Sequence, residues 1–113
     1  MVKKYLGEFE ESVLTMVAVL EGQGYGKSIV DSFLSNISRK VSLSAVHITL
    51  YRLEDKEFVE SYLGGATSTR GGRRKRLYRI TNAGRELLYN VQRDRETLWK
   101  LMPAFKFVFP SVA

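Results

Sequence analysis

The chain has 113 residues, no cysteine, one histidine, and a formal charge of +6 from 18 Lys+Arg against 12 Asp+Glu. This length predicts one domain near the lower end for a self-sufficient core, and a hydrophobic content of 44% separates it from disordered chains. Disulfides, cysteine metal sites and histidine clusters are excluded, and no apolar run approaches the roughly 20 residues of a membrane helix.

The N-terminus, MVKKYLGEFEES, turns acidic where a signal peptide would continue apolar, so a soluble cytoplasmic protein is expected. From Tyr5 to Leu20, the residues Leu6, Phe9, Val13, Leu14, Val17 and Leu20 recur at three- and four-residue steps, one face of an amphipathic helix. Glu8, Glu10 and Glu11 fall in its first turns, where the positive end of the helix dipole favours acids. Gly22, Gln23 and Gly24 end it. A second helix is predicted over about Gly26 to Asn36, burying Ile29, Phe33 and Ile37 with Val30 and Leu34 beside them, and Tyr25 stapling its entry. Ser42 caps a third, running to about Lys56.

In that third helix Val46, Leu50 and Leu53 share one face, with Leu43 at the start. Ser44, His47, Ile48, Tyr51 and Arg52 fall largely on the other. A solvent face usually carries Glu and Lys; short polar groups and rings suit a helix that touches base edges in a groove. Phe58 to Gly64 and Lys75 to Thr81 alternate as strands, with Phe58, Tyr62, Tyr78 and Ile80 as candidates to cover the core or flank the tip. Tyr51 and Tyr78 could each place a hydroxyl on a phosphate.

Between the strands lies the basic run RGGRRKRLYR, from Arg70 to Arg79. It holds six cations and no acid, and the rest of the chain balances at 12 cations against 12 acids. Glycines 64, 65, 71 and 72 bracket the run, which reads as a hairpin with a basic tip. So concentrated a field recruits a polyanion.

A last helix starts at Thr81 or Asn82 and reaches about Met102, where Pro103 stops it. Leu87, Leu88, Val91, Leu98, Trp99 and Met102 form its apolar stripe. A helix of roughly 30 Å is long for so small a domain. A second copy is the natural cover for that stripe. The tail carries Phe105, Phe107 and Phe109 in alternation, to pack on a partner or on the first helix, or to remain a poorly ordered end.

The expected fold is therefore mainly α with a small β-hairpin: a winged helix-turn-helix over 5–81, a dimerisation helix over 82–102, and an apolar tail over 103–113. No carboxylate pair, nucleophile motif or phosphate loop suggests an enzyme, and no cofactor or metal is called for. Three stretches carry a family resemblance: GYGKSIVDSF, VSLSAVHITLYRLEDKEFVES and RGGRRKRLYRITNAGREL. Together they resemble the PadR family of bacterial transcriptional regulators. The motifs are Tyr25–Gly26, Arg52–Leu53–Glu54, and Tyr78–Arg79–Ile80–Thr81–Asn82–Ala83–Gly84. His47 stands where that family usually has Tyr, and Glu57 where it usually has Gly.

The resemblance implies a homodimeric regulator, its long last helix packed on a partner subunit. On this reading the protein is a repressor bound to a palindromic operator in double-stranded DNA. Ser42, Ser44, His47, Ile48, Tyr51 and Arg52 would face the groove, and Arg70, Arg73, Arg74 and Lys75 would hold phosphates. Drug-responsive family members stack flat ligands on interface aromatics, which makes Trp99 a candidate for a small planar effector as well as for interface packing. The rival from another class is a winged-helix adaptor whose basic wing docks an acidic partner.

Overall fold

A computed structural model describes residues 5–64 and 74–103. Glycines 65, 71 and 72, Arg70, Arg73 and the Phe105, Phe107 and Phe109 tail lie outside the described residues. The order is α1 (Glu8–Val19), α2 (Gly26–Ile37), α3 (Leu43–Asp55), β1 (Val59–Leu63), β2 (Arg76–Ile80) and α4 (Asn82–Leu101). The strands pair antiparallel, with Val59 opposite Ile80 and Leu63 opposite Arg76.

The apolar stripes meet in one core. Val13, Leu14 and Val17 of α1, Ile29 and Phe33 of α2, and Val46, Leu50 and Leu53 of α3 are fully buried. Phe9 stacks on Phe33 with ring centroids 5.9 Å apart, and the Arg39 guanidinium covers both rings. The far end of α2 departs from expectation: Leu34 is 51% and Ile37 55% exposed. The 3.6-residue period carries Leu34 about 100° round from Phe33, whereas Ile37 stays on the face of Ile29 and Phe33 but lies past the end of the core. Met16 and Thr49, not singled out by periodicity, are buried instead.

The acids opening α1 do more than complement its dipole. Glu8 accepts from Arg39, Glu10 from Lys56 and Glu11 from Arg95, at 2.6–2.7 Å. One helix end is thereby pinned to the turn after α2, the end of α3 and the middle of α4. The Arg39 hydrogen bond holds the Glu8 carboxyl below the usual carboxylate range.

The hairpin is fastened at its base. The Tyr78 amide donates to the Gly24 carbonyl (2.8 Å), tying β2 to the α1–α2 turn. Thr81 caps α4 by accepting from the Gly84 amide (3.1 Å), while its hydroxyl donates to the Glu57 carbonyl (2.7 Å). A Cβ on Gly84 would overlap the Phe58 carbonyl oxygen and lie 2.7 Å from Ile80 Cγ1, so α4 starts as close to the hairpin as a bare backbone permits. Leu87 is buried and Leu88 and Val91 are partly buried against the same core. The near half of α4 is thus part of this core, whereas Leu98, Trp99 and Leu101 are 65%, 59% and 72% exposed.

Glu57 adopts the left-handed conformation, φ 64°, that a side chain there resists. Its amide bonds to the Glu54 carbonyl at 2.9 Å, and the turn into β1 requires that geometry. Glu57→Gly should therefore stabilise the fold by about 0.5–1 kcal/mol, the relieved strain outweighing the added unfolded-chain entropy. Thermal unfolding should shift up by a few degrees; an unchanged or lower midpoint would mean the turn carries no strain.

Candidate nucleic-acid interface

The third helix presents two rows. Ser44, Ile48 and Arg52, spaced by four, form an exposed outer row, and Arg52 has no side-chain partner among the described residues. Leu43, His47 and Tyr51 form an inner row turned toward the start of α2 and the wing. The six residues expected to face a groove therefore divide. Ser42 acts first as the cap, its Oγ accepting from the Ala45 amide at 3.1 Å and lying 3.5 Å from Ser44 Oγ. His47 is only part-exposed and is tucked against Gly26, not on the outer face. Its ring lies 6.2 Å from that of Tyr51, which is 54% exposed.

The basic run divides as well, because strand residues alternate between faces. Arg74 is exposed, and its Nε donates to the Gly64 carbonyl (2.9 Å). Lys75 is exposed, with Nζ 3.2 Å from the Tyr25 hydroxyl and 4.3 Å from that ring's centroid. Arg76 Nη1 donates to Ser61 Oγ (2.9 Å), and Ser61 in turn donates to the Glu54 carboxylate. Arg79 points the other way. It pairs with Glu60 (2.8 Å) and covers the Tyr62 ring, so its charge is compensated on the face away from α3. Tyr78, a candidate for a phosphate contact, is 1% exposed and belongs to the core. Burial pushes its hydroxyl pKa up, holding the phenol neutral.

Between the inner row of α3, the start of α2 and β2 lies an open cavity of about 320 Å³. Tyr25, His47 and Tyr51 give it aromatic walls, and Lys27, Lys75 and Arg76 bring cations from two elements. Lys27 and Arg76 were not among the residues expected here. Arg76 stands two before Tyr78 on β2, so alternation alone places it on the face toward α3; Lys27 has no comparable signal. Among the described residues no group of His, Cys, Asp or Glu is placed to hold a metal, and no helix is long and apolar enough to cross a membrane.

Three helices, a two-stranded wing and a long trailing helix, with a cationic strand beside the third helix, define a winged helix-turn-helix protein. The chain belongs to the transcriptional regulator PadR-like family, whose sequence pattern it matches over residues 14–90. That family comprises transcription regulators, not enzymes. An uncharacterized protein of Lysinibacillus sphaericus is 27% identical over 99 residues, covering 88% of both chains. A PadR family transcription regulator of Clostridium difficile R20291 superposes with a TM-score of 0.70 at 21% identity, over 85% of this chain and 95% of that one. Bacillus subtilis PadR, solved in complex with operator DNA, superposes with a TM-score of 0.59 at 18% identity, over 91% of this chain and 53% of that one. At such identities the structural likeness concerns the fold.

Proposed function

We propose that this regulator acts in the cytoplasm as a homodimeric repressor on a palindromic operator in double-stranded DNA. The observation that carries the reading is the convergence of the α3 inner row with Lys75 and Arg76 of the wing around one cavity. A duplex laid over that cavity meets Ser44, Ile48, Tyr51 and Arg52 in its groove. Arg74 and Lys75 meet its phosphates, and the sequence assigns Arg70 and Arg73 the same role. The operator complex of the Bacillus subtilis relative supports the same partner class.

Residues 5–81 serve as the DNA-binding unit, and the far half of the helix over 82–102 serves as the dimer surface. Leu98, Trp99 and Met102 contribute there, and the exposed Leu101 joins them. Leu87, Leu88 and Val91, the near part of the expected stripe, hold the helix to its own subunit. A small planar hydrophobic effector stacked on Trp99 would release the operator.

Selection of bound duplexes from a random pool tests the reading. Two inverted half-sites should be enriched, their centres about 10 base pairs or a multiple apart. A pool that enriches no sequence would overturn sequence-specific binding, and retention on a polyacidic peptide in its place would favour an adaptor. Planar dyes that leave both the enrichment and Trp99 fluorescence unchanged would remove the effector.

A further inference from the structure

We infer that Gly26 determines DNA sequence preference by acting through His47. The missing side chain at the first position of α2 forms the seat that turns the His47 imidazole inward. This rests on the DNA-binding reading above and extends it to a residue that itself lies buried beneath the interface.

The contact is tight. A Cβ built on Gly26 would lie 2.6 Å from His47 Cε1, 2.7 Å from Nε2 and 3.0 Å from Leu43 Cδ1. The imidazole edge therefore fills the volume of the absent methyl group. Polar attraction does not hold it there: His47 Nδ1 is buried and has no hydrogen-bond partner among the described residues. A buried ring nitrogen without a partner is unfavourable, so packing against the bare α-carbon positions the ring.

The consequence passes to Tyr51, one turn further along the same face. Its ring lies 27° from parallel with that of His47 and is 54% exposed. With the imidazole seated, Tyr51 is the ring of this row that reaches the duplex, and His47 is a positioning residue beneath it. A methyl group at position 26 closes the seat. The imidazole is the mobile party, since it can rotate about χ1 while the α2 backbone is fixed by the core. Swung outward, it displaces Tyr51 and replaces a phenol with a ring of different reach and donor pattern.

The test is a double-mutant cycle over wild type, Gly26→Ala, His47→Ala and the double variant. Each is carried through selection from a random duplex pool and titration against a fixed non-specific duplex. Gly26→Ala should change relative base preference by about tenfold at one or two base pairs per half-site, as expected for one gained or lost base contact. Its affinity for the non-specific duplex should stay within about twofold, because the wing cations are untouched. The double variant should select the same sequences as His47→Ala, since without the ring the methyl group meets only the end of the Leu43 side chain, at 3.0 Å, which can give way.

Gly26→Ala selecting the wild-type sequences would overturn the inference, as would a double variant whose profile differs from that of His47→Ala. If Gly26→Ala does not fold, His47→Ala decides alone. It should alter preference only at the base pairs beneath Tyr51, and an unaltered profile would overturn the inference. Failure of the wild type to select any sequence is a separate result, which removes the DNA reading and this inference with it.

Discussion

Binding of the proposed dimer to its duplex should weaken steeply with salt, with log K falling against log salt at a slope of roughly −9. Between about 50 and 200 mM salt this corresponds to a loss of roughly 10⁵-fold. The physical source is counterion release. Each lysine or arginine that neutralises a phosphate frees condensed cations from the duplex, and about five such contacts per subunit give the slope. All of the net charge of +6 falls between Arg70 and Arg79. Arg79 spends its charge on Glu60, whereas among the described residues Arg74 and Lys75 contact only neutral groups and keep theirs available. Lys75→Ala should accordingly reduce the slope by roughly 2 per dimer, one phosphate lost on each side. Anisotropy titrations at several salt concentrations measure both, and a slope near zero would remove the electrostatic basis of the proposed interface.

A second large effect is expected at the far end of α4. The double substitution Leu98→Asp with Leu101→Asp should convert the dimer to a monomer and reduce the salt slope to about half, because only one wing then engages the duplex. Both side chains are more than 60% exposed, at 65% and 72%, so the isolated subunit gains nothing from their being apolar. Burying a carboxylate between two helices costs several kcal/mol unless it is paired. The subunit should remain folded, since Leu87, Leu88 and Val91 anchor α4 to its own core and are untouched. Sedimentation velocity should show the wild type at twice 12.9 kDa and the variant at that mass. A variant that stays dimeric would place the dimer surface elsewhere.

The helices and the hairpin were legible because their signals are local. Four apolar stripes at helical spacing and two alternating strands led to the observed elements within a few residues. Less legible was everything that depends on how the elements meet. The period of α2 did not reveal that Ile37 passes beyond the end of the core, since reach depends on the crossing of α1 and α3. His47 lies at the border between the apolar and polar sides of α3, about 60° round from Leu50, and its place beside the bare α-carbon of a residue 21 positions earlier is seen only in the folded chain. The basic run read as one uniform tip, yet alternation along β2 sends Arg76 toward α3 and Arg79 away from it. That division could have been found from the buried Tyr78 between them. In the sequence the acids of α1 answer only to the helix dipole, and their pairing with Arg39, Lys56 and Arg95 depends on the packing of three other elements.

The most direct test of a shared DNA face is an amide NMR titration of the isotopically labelled protein with its selected duplex. The largest shifts should fall on Ser44, Ile48, Tyr51 and Arg52 of α3 and on Arg74 and Lys75 of the wing, with Leu34 and Ile37 at the far end of α2 unmoved. Shifts gathered on Leu34 and Ile37, or on the α3 row without the wing, would contradict a single surface formed by recognition helix and hairpin together.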